Sequence, residues 1–293
     1  MIKKILASVL MSVSAAAFAV PFGSQSVLVI EDGTGKVLLE KNADRVVSIA
    51  SLTKLMTAMV VLDANQDMDE MIAINQRDVD TLKHSTSRVP VGAKISRRDV
   101  LQLALMSSDN RAAASLARTF EGGTVGFKAA VRAKIQALGM TQTVIEEPTG
   151  LSPANKSTAG DLVKMAAAAA TYPTIVEMTT DAKDIVSISG RGVEYRNTNR
   201  LVGAKGWDIG LSKTGYTEEA GRCLIMRITT AGKHATLVML NAKSSSSRVL
   251  DALNIRRFIN GGESPVMAKA SVRSKSSMRK RAKASSNKKR RRR

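Results

Sequence analysis

The chain has 293 residues, enough for one large domain or two modest ones, with 44% hydrophobic residues to build a core but only 3% aromatic ones. Its net charge of +20 is unevenly placed: residues 263–293 hold 13 Lys and Arg against one acid, Glu263, leaving 30 basic and 24 acidic residues over 20–262. A single cysteine, Cys223, excludes an internal disulfide, and two histidines, His84 and His234, without an H-E-x-x-H helix argue against a metallopeptidase.

The first residues, MIKKILASVLMSVSAAAFA, combine a basic start, an apolar run and an A-x-A site at Ala17-Phe18-Ala19. They read as a signal peptide, 1–19, too short for a comfortable membrane span. A retained anchor is the alternative. Cleavage puts the mature chain, from Val20, in the periplasm. Residues 26–40 predict a β-hairpin, with β-branched runs flanking Asp32-Gly33. SIASLTKLMTAMVVLDA (48–64) predicts an apolar helix from about Ser51, and Lys54 within it is anomalous, because a cation in a core costs several kcal/mol unless compensated.

Ser96-x-x-Asp99 caps a helix over 96–106, which stops at Ser107-Ser108-Asp109-Asn110, residues that favour turns. Helices over 111–120 and 124–138 follow, the second ended by Gly139, and Thr158-x-x-Asp161 opens another through 171. From about 183 the period changes. Residues 184–189 and 193–202 read as extended, 206–214, 219–230 and 234–242 as strands, and 245–260 as a final helix. Strands, many helices, strands and a helix in that order indicate an α+β fold: an antiparallel sheet from both chain ends with a helical insertion. Within it, Cys223 in the run CLIM reads as a core residue and Trp207 as packing. Residues 263–293 lack the apolar content to bury a core and are predicted to be a disordered basic tail.

Residues three apart on a helix share a face, so Ser51 and Lys54 can meet. A serine hydroxyl needs a base, and a lysine serves if burial or a second cation lowers its pKa. The spacing alone carries little weight: S-x-x-K occurs four times, three of them in the tail from Ser277, Ser285 and Ser286. Two distant elements change this. Ser108-Asp109-Asn110 lies in a break between helices, and Lys213-Thr214-Gly215 lies on a predicted strand where Gly215 allows close backbone approach. S-x-x-K, S-D-N and K-T-G, in this order, are together the signature of class A β-lactamases and penicillin-binding proteins.

Over residues 25–262 the chain resembles the penicillin-recognising serine DD-peptidases, most closely the low-molecular-mass, penicillin-binding protein 7 type of D-alanyl-D-alanine endopeptidase. SRVPVGAKISRRDVLQLALMSSDNRAAASLA, EEPTGLSPANKSTAGDL, YRNTNRLV and LSKTGYTEEAGRCL carry the likeness beside the opening helix. The resemblance implies a DD-peptidase/β-lactamase-like fold: a five-stranded antiparallel sheet flanked by helices, with a helical subdomain inserted. It implies Ser51 as nucleophile, Lys54 as base and Ser108 as proton relay, without metal or cofactor. Asn110, Lys213, Thr214, Gly215 and Tyr216 would bind substrate. Lys213 would help hold Lys54 neutral, and the N–H groups of Ser51 and Tyr216 would form an oxyanion hole. The implied substrate is the peptide stem of peptidoglycan, with β-lactams as covalent inhibitors.

A β-lactamase also needs a deacylating carboxylate, and Glu146-Glu147-Pro148-Thr149-Gly150-Leu151 lacks the E-x-x-L-N pattern. A D-alanyl-D-alanine carboxypeptidase is the nearer rival. Those relatives often carry S-G-N, K-T-G-H and an added β-rich domain; with S-D-N, K-T-G-Y and no room for that domain, this chain resembles the endopeptidases more, and the preference rests on that resemblance. A non-catalytic peptidoglycan-binding protein is the reading from another class, against which stand all three catalytic elements. For the tail, anionic envelope polymers or a membrane surface fit an exported chain better than nucleic acid.

Overall fold

The computed structural model describes residues 22–262. Strand β1 (Ser26–Glu31) turns through Asp32-Gly33, with Gly33 at φ +83°, into β2 (Val37–Lys41). Short β3 (Val47–Ser48) leads into a 3-10 turn, Ala50–Leu52, and then helix α1 (Thr53–Asp63). A small antiparallel pair, β4 (Met71–Ala73) and β5 (Lys94–Ser96), brackets a long loop. Helix α2 (Arg97–Met106) is capped by Ser96, and α3 (Asn110–Arg118) by Asp109. Helix α4 (Gly123–Ala137) follows, with Gly139 at φ +61° just after it. Strand β6 (Lys156–Ser157) pairs with β3, and Thr158 caps α5 (Ala159–Ala169). Helix α6 (Pro173–Thr180), the hairpin β7 (Lys183–Ile188)–β8 (Arg191–Arg196), strands β9 (Asp208–Thr217), β10 (Gly221–Thr230) and β11 (Lys233–Ala242), and helix α7 (Ser245–Ile259) complete the order.

The main sheet runs β2-β1-β11-β10-β9 and is antiparallel throughout. This is the five-stranded α+β architecture expected. Its register pairs Ser26 with Leu240 and Lys213 with Ile225, which leaves β9 at an edge. Helix α1 runs through the middle of the core and is buried from Thr53 to Val61. Leu55, Met56, Met59 and Val61 have no exposed surface, and each such side chain contributes about 1.5–3 kcal/mol of transfer free energy. A helix buried over nine successive residues and packed against α2, α3, α4 and α5 is a rigid mount for what it carries.

One helix, α6, has no reading in the sequence, and one reading is corrected. Five of the eight residues of α6 are β-branched, which hides a helix, but Pro173 at its first turn and burial of Ile175 and Met178 stabilise one. The extended reading of 193–202 holds only to Arg196. Beyond it, the Asn197 amide donates to Thr179 O and Asp181 O, and Asn199 Oδ1 accepts from Leu201 N, so side chains replace ladder bonds. The signal peptide of 1–19 and the tail of 263–293 lie outside the described residues.

Candidate active site

The serine stands on a strained turn. Ala50 has φ +47°, unusual for a residue with a Cβ, and its carbonyl accepts from Thr53 Oγ1 at 2.8 Å. Ile49 N donates to Asn155 O at 3.1 Å, which fixes the entry to the turn. Two glycines allow neighbours to close on it. At Gly150 (φ +86°) a Cβ would meet Ala50 O at 1.9 Å, and at Gly215 one would lie 3.1 Å from Ser51 N. The glycine of K-T-G therefore gives close approach of strand β9 to the serine's own backbone.

Lys54 is 1% exposed and donates three hydrogen bonds: to Ser51 Oγ at 2.9 Å, Asn110 Oδ1 at 2.7 Å and Thr149 O at 2.7 Å. Burial lowers its pKa to about 8, with Glu147 and Asp109 pulling it back up. A neutral amine has two N–H groups and one lone pair. The amide and peptide oxygens can only accept, so they take the two N–H groups, and the lone pair faces the Ser51 hydroxyl. The geometry thus converts the lysine from donor to base by loss of one proton.

Lys213, also 1% exposed, donates to Ser108 Oγ at 2.8 Å and Thr214 O at 3.1 Å. Its pKa is held well below the usual lysine range, by burial first, then by Lys54 and Arg248. Glu147 and Asp109 support the charge on Lys54, whereas Lys213 has the cations of Lys54 and Arg248 beside it; the repulsion between the two ammonium groups is mutual, so a charge on either favours loss of the other's proton. Ser108 adopts φ +60°, and the neighbouring Asp109 caps α3 through Ala112 N. Thr214 Oγ1 lies 2.6 Å from Thr198 Oγ1.

Ser51, Lys54, Ser108, Asn110, Lys213, Thr214 and Gly215 thus converge from the 3-10 turn and α1, the α2–α3 break and β9. The Tyr216 side chain does not join them: it is exposed and stacks under the Arg222 guanidinium at 3.5 Å. Several neighbours carry no motif of their own. Ser85 Oγ accepts from Asn110 Nδ2 at 2.8 Å, and buried Arg248 donates to Cys223 O at 3.0 Å. The loop 146–155 was legible as a likeness only, and its role is now visible. Glu147 accepts from Thr149 N, Gly150 N and Asn155 Nδ2, while Asn155 Nδ2 reaches Thr53 Oγ1. Glu147 therefore organises the carbonyl that holds Lys54. Cys223 is buried with its thiol pushed up to about 11 by that burial, and Trp207 packs on Arg256, as residues of structure.

Comparison with known proteins agrees with this geometry. The chain is 46% identical over 252 residues to the D-alanyl-D-alanine endopeptidase of Pseudomonas aeruginosa, spanning 84% of this chain and 81% of that protein. It is 43% identical over 250 residues to the D-alanyl-D-alanine endopeptidase of Escherichia coli, with the same coverage. Among solved structures it is similar to penicillin-binding protein D2 of Listeria monocytogenes in its ampicillin-bound form, at 29% identity and TM-score 0.69, over 79% of this chain and 95% of that one. The profile of one family, peptidase S11, D-alanyl-D-alanine carboxypeptidase, matches residues 12–244. With that match over most of its length, and the three converging elements described above, the chain belongs to the S11 family of D-alanyl-D-alanine peptidases.

Proposed function

We propose that the protein is a serine D-alanyl-D-alanine endopeptidase that hydrolyses peptide cross-links of peptidoglycan through an acyl-enzyme. The carrying observation is Lys54 Nζ at 2.9 Å from Ser51 Oγ, with its other two bonds directed to atoms that can only accept. Neutral Lys54 takes the hydroxyl proton as Ser51 Oγ attacks the carbonyl carbon of a D-alanine residue. The N–H groups of Ser51 and Tyr216 hold the oxyanion, where one donor is worth about 3 kcal/mol. Collapse of the tetrahedral intermediate breaks the C–N bond. Ser108, bonded to Lys213, passes its hydroxyl proton to the leaving amine and is resupplied with the proton Lys54 took from Ser51, which returns Lys54 to its neutral form. Lys213 and Thr214 attract the carboxylate beside the scissile bond, and Asn110 holds Lys54 and a substrate amide. Water, activated by Lys54, then splits the ester.

A β-lactam offers the same carbonyl and acylates Ser51. The bonds of Glu147 to backbone and to Asn155 leave it no role as a deacylating base, so the acyl-enzyme is long-lived. The leader 1–19 directs the chain to the periplasm, 20–262 form the catalytic domain, and the basic tail 263–293 engages anionic envelope surfaces. Purified cross-linked muropeptide dimers and pentapeptide monomers separate the readings. Dimers converted to monomers support the endopeptidase. Dimers left intact while pentapeptides lose D-alanine make the protein a carboxypeptidase.

A further inference from the structure

Behind Ser108 lies a cleft of about 670 Å³ lined by Thr86, Arg88, Ser108, Asp109, Tyr195 and Arg196, among others. That volume is in the range that holds a drug-sized ligand, and far exceeds what a released D-alanine needs. The reaction uses Ser108 to protonate the leaving amine, so the leaving group must pass within hydrogen-bond reach of Ser108 Oγ. The cleft therefore begins where the departing half of the substrate stands.

Its charges differ in how they are committed. The Asp109 carboxylate is occupied by Ala112 N–H and the Ser87 hydroxyl. Glu194 is paired with Arg196 at 2.7 Å and Lys183 at 3.4 Å. Arg88 is held in place without an acid: its Nη1 donates to Glu194 O at 2.8 Å, and its guanidinium lies 4.5 Å from the centre of the Tyr195 ring. Among the described residues no carboxylate lies within 4 Å of it. A planar, oriented fork of N–H donors with no acid partner suits a carboxylate.

We infer that this cleft is a subsite for the leaving stem peptide of a cross-link, and that Arg88 recognises a carboxylate on that stem. The inference rests on the endopeptidase reading and deepens it: a cut inside a cross-link releases a second peptide, whereas a carboxypeptidase releases one amino acid. Recruitment of the leaving stem makes Arg88 a specificity residue rather than a catalytic one, since it touches neither Ser51 nor Lys54. β-Lactams lack such a stem and do not use the site.

The test compares Arg88→Glu and Arg88→Lys with the parent on three substrates: cross-linked dimers, pentapeptide monomers and fluorescent penicillin. Arg88→Glu is expected to raise KM for dimers at least tenfold, with pentapeptide turnover and penicillin acylation within twofold of the parent. Arg88→Lys should recover part of the loss. Equal losses on all three substrates, or unchanged dimer cleavage, overturn the inference. Binding to Ser51→Ala separates this outcome from failure of the endopeptidase reading. If the parent spares dimers, that reading falls. The subsite stands only if Ser51→Ala still binds dimers at least tenfold more tightly than pentapeptides and loses that margin with Arg88→Glu; without the margin it falls too.

Discussion

Lys54 directs its three N–H bonds to Ser51, Asn110 and Thr149, and only the first partner can return a proton. With a pKa of about 8, roughly a tenth of it is neutral at pH 7 and most of it above pH 9. Penicillin acylation should therefore accelerate as pH rises, levelling above about 8; a rate that does not change from pH 6 to 9 would contradict a lysine base. Stability follows the same sign. The unfolded chain holds this proton up to about 10.5, so between 8 and 10.5 it binds more protons than the folded one, and this residue's contribution to stability grows with pH across that window. Below 8 the buried charge costs roughly 3 kcal/mol relative to an exposed lysine. Lys54→Arg should preserve the charge and most of the fold yet slow acylation by at least about 100-fold, read with fluorescent penicillin, because a guanidinium does not release its proton.

At the scale of elements, the site is a contact of a strand and a loop with a turn, and the strand and the loop each give up a side chain there. Strand β9 reaches Ser51 because residue 215 has no Cβ, and the loop 146–155 reaches Ala50 because residue 150 has none. Gly150→Ala would drive a methyl group into Ala50 O and force a positive φ on alanine. We expect a loss of at least about 2 kcal/mol in urea unfolding, with acylation falling in parallel. Undiminished stability in that variant would mean the loop is free to move away, and that Thr149 O is not a fixed partner of Lys54.

At the scale of the whole molecule, the ends of the described chain are tied together away from the chemistry. The Asp251 carboxylate on α7 accepts from Gly23 N, Ser24 N and Ser24 Oγ at 2.9, 2.8 and 2.6 Å. Asp251→Ala should cost about 2–4 kcal/mol by denaturant unfolding while leaving the rate of penicillin acylation within twofold. Every residue placed in the catalytic site lies between 51 and 216, and the sheet is closed by β11 and backed by α7, ending at Ile259. Truncation after Gly262 is accordingly expected to leave acylation unchanged; its loss would move the domain boundary into the tail.

The order of elements was legible because it rests on local periodicity, turn residues and caps: Asp32-Gly33, Ser96, Thr158 and Gly139 each punctuate the chain as their chemistry requires. The three motifs were legible because catalysis demands particular side chains at particular spacings. Helix α6 was hidden by its β-branched residues, since propensity yields to burial. Thr149, Glu147 and Asn155 gave no signal of a role, because one acts through a peptide carbonyl and the others through hydrogen bonds that hold it. The carboxylates beside Lys54 were likewise hidden in one dimension. Which ammonium has Glu147 and Asp109 within reach depends on distances that only the folded arrangement of α1, the α2–α3 break, the loop 146–155 and β9 sets.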